Sequence, residues 1–317
     1  MAQPTNTFDS YDNSVSIRED LSDMIYDISP EETPFLSGIA KTKATSTKHE
    51  WQLDSLRSSG ANAHIEGDDT AATARSATTR LDNRTQIFKD AVIVSDTDEG
   101  LTKAGRAKEM AYQVLKAGKE QKLDQEKALF SNNAKVAGNA TTARELAGLP
   151  TFLASNTDFG ANEGADATGD GSDARTDETT TLLAFNQARF DSVMQATWQS
   201  GGKPDTVFLS SFQMNKALAF AGNNNARAEA SAGKIENFVS VYVTPWGTIS
   251  FVPTRENRSR DVFIVEKDKW ACAILRPTKS VALAKTGDSD RRQIVTEMTL
   301  VSRNEAANGG VFDNTIT

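Results

Sequence analysis

The side chains that could perform covalent chemistry are few and scattered. The nearest approach to a phosphate-binding loop is Ala228-Glu-Ala-Ser-Ala-Gly233-Lys234-Ile235. It lacks the leading glycine of that motif and the hydroxyl residue after the lysine, which together cradle phosphate and hold magnesium. No Gly-x-Ser-x-Gly elbow, no Gly-x-Gly-x-x-Gly after a strand and no His-Glu-x-x-His occurs. Asp166, Asp170 and Asp173 suggest a cation, but their spacing misses that of a calcium loop, and a solvated acidic loop is the favoured reading. Asp68-Asp69 and Asp288 with Asp290 read as turn residues. The two histidines, His49 and His64, and the single cysteine, Cys272, are too few for a Cys/His zinc site. Cys272 sits in the apolar run WACAIL, which favours a buried structural thiol over a reactive one. The histidines read as surface or strand side chains, with a pH switch as the alternative. The expectation is a chain with no catalytic residue, no cofactor and no metal.

Bulk properties agree. The chain has 317 residues, with Lys+Arg 35 against Asp+Glu 43 and a net charge of −8. Its pI is about 5.0 and its mean hydropathy −0.47. Such a balance does not coat nucleic acid by bulk charge, because phosphate binding needs a basic surface. No stretch reaches the ~18 apolar residues of a membrane span, and MAQPTNTFDS has neither the basic nor the apolar region of a secretory signal. One cysteine permits no intrachain disulfide.

The elements that would position these residues fall into an α+β class. Ser16 and Glu19 make a capping box. Ile17, Leu21, Met24, Ile25 and Ile28 then recur at helical spacing until Pro30. This acidic helix is marginal alone. Its stripe, with Phe35 and Leu36 beyond it, must rest on the body of this chain or on a neighbouring subunit. Trp51 and Leu53 alternate with Glu50, Gln52 and Asp54 as a half-buried strand. Residues 85–94 read as its return strand, across a long Ser/Gly/Ala/Asp/Thr-rich loop. Two strands alone are marginal in water, so this arm is expected to project and be held by a partner.

Residues 97–132 read as the longest helix, with a thin stripe of Leu101, Ala104, Ala107, Ala111, Val114, Leu115 and Gly118. The stripe suggests close packing on a sheet; an ordinary surface helix fits equally well. Lys116 with Glu120, and Lys122 with Glu126, are placed on its solvent side. Residues 158–178 hold seven acids against Arg175 and read as a surface loop or flexible excursion. Helices around 185–198 and after Ser210, and short strands at 206–209, 239–243, 248–252, 262–265, 270–275, 280–284 and 291–303, complete the chain.

Three segments carry a resemblance: DLSDMIYDISPEETPFLSGI from Asp20 to Ile39, HEWQLDSL from His49 to Leu56, and RELAGLPTFL from Arg144 to Leu153. They, and the order of elements around them, are similar to tailed-bacteriophage major capsid proteins of the Hong Kong 97-type fold. The resemblance implies an N-terminal arm (1–45), an E-loop hairpin (46–98), a peripheral domain with a spine helix (99–145) and an axial domain (146–258). Peripheral strands (259–303) and a C-terminal tail (304–317) follow. It implies a self-assembling homo-oligomer of pentamers and hexamers, located in the virion after assembly in the host cytoplasm. The shell would enclose double-stranded DNA without sequence-specific binding, served by scaffolding, portal and decoration proteins. An encapsulin-like compartment shell and another virion part, such as a decoration or tail protein, are the alternatives. Phe35, Leu36, Trp51, Leu53 and Phe88 are then the expected inter-subunit contacts, and Trp51→Ala is expected to impair assembly more than folding. Some family shells are welded by lysine–asparagine bonds from the E-loop; no lysine lies between Lys48 and Lys89 here, which implies a non-covalent shell.

Overall fold

The computed structural model describes residues 32–57, 59–69, 72, 74–103, 107–160, 162–220 and 241–316. The expected N-terminal helix and the glycine-lysine segment 228–235 lie outside them. In chain order the elements are α1 (Pro34–Gly38), β1 (Ala40–Lys43), β2 (Lys48–Leu53), β3 (Thr79–Arg84), β4 (Gln86–Ser95), α2 (Asp96–Gly100) and α3 (Glu109–Phe130). Then come β5 (Thr157–Asp158), α4 (Gln187–Gln199), β6 (Thr206–Leu209), α5 (Ser211–Ala217), β7 (Val241–Thr244) and β8 (Gly247–Pro253). The chain closes with β9 (Val262–Val265), β10 (Trp270–Ala282), β11 (Ser289–Ser302) and β12 (Gly309–Val311).

Alternation along β11 sets the first sheet. Ile294, Thr296, Met298 and Leu300 all point inward and are buried, at the two-residue period of a strand; from Glu297 onward the other face is buried as well. β10 and β4 flank β11 antiparallel, and β1 joins the outer edge of β10 in parallel, giving the order β1-β10-β11-β4. The strands expected at 270–275 and 280–284 are one strand, interrupted by register shifts between Ile274 and Lys279. Against the inner face lies α3. Its buried residues are Met110, Ala117, Gln121, Gln125, Glu126, Leu129 and Phe130 with Glu109, not the expected small-residue stripe: Leu101, Ala107, Ala111 and Leu115 are exposed. Gln121 reaches partners on the sheet. It donates to the Ile294 carbonyl at 3.4 Å and accepts from the Thr296 hydroxyl at 2.9 Å.

The second sheet has the order β5-β12-β9-β6-β8-β7. Both its faces are covered, which explains why TVFL and VFIV are apolar at every position instead of alternating. Phe208 and Phe263 point into a core with Phe35, Phe130, Phe152 and Trp270. Val207, Leu209, Val262 and Ile264 point the other way, against Phe190, Val193 and Met194 of α4. Asn186 caps α4 by accepting the Arg189 N–H at 3.0 Å, and Gly201, at φ +89°, stops it in the left-handed conformation.

Two expectations change. The return strand at 85–94 is β4 and belongs to the first sheet, whereas β2 pairs with β3, at the end of the stretch expected as loop. The C-terminal residues are no tail, because β12 sits between β5 and β9 inside the second sheet.

Gly148 passes under the C-terminal end of α3, where a Cβ would lie 1.9 Å from the Ser131 carbonyl oxygen. Backbone must move to admit it, so Gly148→Ala should lower the urea midpoint of the purified subunit, by at least the ~1–3 kcal/mol typical of overpacking.

Candidate assembly surfaces and their anchors

The five residues expected at subunit contacts do not share one fate. Phe35 and Leu36 lie in α1, a five-residue helix opened by Pro34 and lacking a side-chain cap. The uncapped N–H groups of Phe35 and Leu36 instead meet the carboxylate of Glu126, at 2.9 Å and 2.7 Å. That capture places the Phe35 ring among Phe130, Phe208 and Trp270, with centroids 5.1, 5.4 and 6.4 Å away. Phe35, Leu36 and Phe88 are buried in this chain's own core, which corrects the expectation that they meet neighbours: their apolar surface is already used. Glu126, expected beside Lys122 in solvent, is fully buried. Burial is the main effect on its carboxyl, raising it to about 6 against the two N–H bonds that pull it down.

Trp51 and Leu53 remain half-buried on β2. Trp51 rests on Phe152 of its own chain at 6.2 Å between centroids, so truncating it removes contacts within the subunit as well. The root of this hairpin is tied down tightly. Buried Asn83 donates to the carbonyls of Ala147 (3.2 Å) and Leu300 (2.9 Å) and accepts the Ala147 N–H (2.9 Å). Thr85, between β3 and β4, donates its N–H to the Thr47 carbonyl at 2.9 Å. Its hydroxyl donates to Glu297 at 2.8 Å, and its carbonyl accepts from Arg144 at 2.6 Å. Arg144 and Arg276 both pair with the buried Glu297 carboxylate. Beyond the root the arm is bare: Leu56 is 98% and Ile65 82% exposed. Its open cavity of about 670 Å³, lined by Asp54, Arg57 and Arg75 among others, holds no nucleophile–base pair.

The acidic stretch 158–178 is pinned rather than a free excursion. The Arg175 side chain is fully buried, 2.5 Å from Asp313 and 3.2 Å from Asp177, and stacked 4.3 Å over the Phe312 ring. Asp313 holds a left-handed φ of 54°, a strained conformation that Asp tolerates better than most residues. Arg258 joins Asp177 and Asp261. Asp261 is fully buried, and burial pushes its carboxyl up to about 7 despite Arg258 and Arg175. Glu178 accepts the N–H groups of Glu163, Thr180, Thr181 and Asn162 at 2.8–3.1 Å, which hold its carboxyl well below the usual range. Asp166, Asp170 and Asp173 serve internal hydrogen bonds: Thr157 donates to Asp166, and Thr168 to Asp170 and Asp173.

Among the described residues no group of three His, Cys, Asp or Glu side chains could hold a metal. Cys272 is buried, which pushes its thiol up to about 12, and the partial burial of His49 lowers that ring below its ordinary value. None of these anchors is signalled locally: Thr33 is a usual N-cap residue, yet its hydroxyl lies 3.2 Å from that of Ser37, and the cap comes from Glu126, far away in sequence.

Comparison with known proteins covers nearly the whole chain. The profile of the SU10 major capsid protein family matches residues 3–315. The major capsid protein of Escherichia phage Phieco32 is 28% identical over 348 residues, covering 98% of both chains. Among solved structures, the cyanophage A-1(L) capsid asymmetric unit superposes with a TM-score of 0.67 at 11% identity, covering 98% of this chain and 100% of the other. A chain from Microbacterium phage Oxtober96 gives 0.62 at 12%, covering 96% and 98%.

Removing the acceptor for α1 leaves two buried N–H groups unpaired, so Glu126→Ala should cost the subunit about 2–4 kcal/mol in urea denaturation. The titration of Glu126 has the opposite sign to that of an ordinary salt-bridged carboxylate. Its folded value of about 6 lies above the unfolded 4.5, so the folded state binds the extra proton. The contribution is full below pH 4.5 and is lost as pH rises through 6, about 2 kcal/mol in all. Denaturation midpoints between pH 4.5 and 7 should show this decline in the wild type and lose that component in Glu126→Gln.

Proposed function

The chain belongs to the SU10 major capsid protein family, and on that premise we propose that copies of it assemble as pentamers and hexamers into a closed head around double-stranded DNA. It is a major capsid protein with the Hong Kong 97-type fold, and its place is the virion. The family is structural, and we read this chain as carrying no catalysis. The observation behind the assembly reading is the arm: anchored at Asn83 and Thr85, it leaves Leu56 and Ile65 in solvent. A firmly rooted hairpin with apolar residues beyond its root is built to lie on another molecule. Repetition of one such contact around closed symmetry multiplies its modest energy. The segment divisions given above apply to this chain with 304–317 redrawn as part of the second sheet, and Trp51 and Leu53 as the surviving contact candidates.

The net charge of −8 suits a wall that encloses DNA without gripping it. Scaffolding, portal and decoration proteins are the partners such a head would use, with assembly in the host cytoplasm. With no lysine along the exposed arm, the shell is held non-covalently.

Negative-stain electron microscopy and size-exclusion chromatography test this reading. Closed shells or five- and six-fold capsomers are expected; a monomer or dimer that never assembles, even with scaffold supplied, would overturn it. Leu56→Asp and Ile65→Asp should abolish particles while shifting subunit stability by no more than about 0.5 kcal/mol, as for other surface substitutions.

A further inference from the structure

One dipeptide in this protein carries a reaction that the fold suppresses. Asn-Gly occurs once in the chain, at Asn308-Gly309. Such a pair can modify itself. The glycine main-chain nitrogen, unhindered by a side chain, adds to the asparagine Cγ. Nδ2 leaves as ammonia and a five-membered succinimide closes. Water then opens that ring at either carbonyl. One opening leaves aspartate; the other leaves isoaspartate, with the backbone rerouted through the side chain. The balance is one water taken up and one ammonia released, with no other reactant.

Packing dictates both residues. A Cβ on Gly309 would lie 2.6 Å from Val193 Cγ1 and 2.7 Å from the Asn156 carbonyl oxygen, so β12 passes where a side chain does not fit. Asn308 is fully buried, and each of its polar atoms is used. Oδ1 accepts from the Trp270 indole and from the Glu266 N–H, both at 2.9 Å. Nδ2 donates to the Asn304 carbonyl at 2.7 Å. The main-chain N–H donates to the Glu305 carbonyl at 2.9 Å, and the carbonyl accepts from Asn156 Nδ2 at 3.1 Å. The same network blocks the ring. Three hydrogen bonds hold the side-chain amide, and the extended backbone, at ψ 165°, turns the Gly309 nitrogen away from Cγ.

We propose that Asn308-Gly309 is a self-modification site, open only while β12 is out of the second sheet, whose products bar the strand from returning. Isoaspartate adds a methylene to the backbone. Gly309–Val311 then no longer match both Val262–Ile264 of β9 and Thr157–Asp158 of β5. Either product also places a carboxylate in a buried site. There it faces the Asn304 carbonyl, acceptor against acceptor, where Nδ2 had donated. Opening of the strand is reversible and the chemistry is not, so the modified fraction records how long this strand has been away from its sheet. The site belongs to the single subunit and stands whether or not the assembly reading does.

Mass spectrometry of the full-length chain decides it. Samples are held at mildly alkaline pH with and without guanidinium chloride, and the peptide spanning 308–309 is followed over time, with aspartate and isoaspartate resolved by chromatography. Conversion in the folded subunit should run at least about tenfold slower than in denaturant, because the strand must open first. After dilution from denaturant, modified chains should be depleted at least about tenfold from the folded, protease-resistant fraction relative to the aggregate. Asn308→Ser cannot close the ring. Incubated in the same way, it should refold to the yield of its own fresh sample, while the wild-type yield falls as the modified fraction grows. Where Asn308→Ser does not fold, the partition of modified wild-type chains between folded and aggregated fractions decides alone. Equal conversion rates with and without denaturant overturn the gating. Modified chains recovered in the folded fraction in the proportion of the input overturn the barrier to return.

Discussion

A buried carboxylate with no cation beside it among the described residues organises the centre of this protein. Glu126 sits in an apolar interior because two backbone N–H groups of α1 aim at it, and α1 holds its place because Glu126 is there. Neither half is stable alone: a five-residue helix does not form unaided, and a lone buried carboxylate is costly. Joined, they fix Phe35 between α3 and the second sheet, where its ring touches residues from α3, β6 and β10. The two sheets meet across that ring. The chain N-terminal to α1 therefore leaves the body from a fixed point.

The same logic recurs wherever irregular chain is held. Glu178 gathers N–H groups from two loop segments, Asn83 clamps the hairpin root to two other chain segments, and Glu297 binds two arginines beneath Thr85. Arg175 joins an internal loop to the C-terminal strand through Asp313, at the cost of a left-handed backbone there. Apart from Glu178, whose partners lie nearby in sequence, each is a buried polar group held by parts of the chain far apart in sequence. Such groups contribute more to specifying one arrangement than to net stability. That suits a subunit whose interfaces must repeat identically from copy to copy.

How much of this could be read beforehand follows from what periodicity detects. Apolar alternation identified β11, unbroken apolar runs the buried strands at 206–209 and 262–265, apolar spacing α4, and a capping serine α5. Ordered motifs in the first half pointed to the right family. Periodicity is blind to polar residues used as core. Glu126 read as a solvent-side residue and Gln121 carried no signal, because their partners lie in α1 and β11, far away in sequence. Arg175 read as a loop cation because its counter-ion is 138 residues downstream. Residues 85–94 looked like the partner of β2, since nothing local marks Thr85 as the point where the chain leaves one sheet for another, and β3 was hidden at the end of the expected loop. Phe35, Leu36 and Phe88 were placed at interfaces because they are apolar residues in segments without evident cover; the cover came from elsewhere in the chain.

Thr85 also determines how the arm bears load. Because β3 continues through it into β4, tension applied to the hairpin passes along the backbone into a strand paired antiparallel with β11 from Gln86 to Ser95. Force directed along a strand loads its rungs in shear and together, whereas force at right angles would peel them one at a time. The arm is thus mounted like a lap joint, and a wall made of such subunits resists stretching along its arms better than lifting away from them.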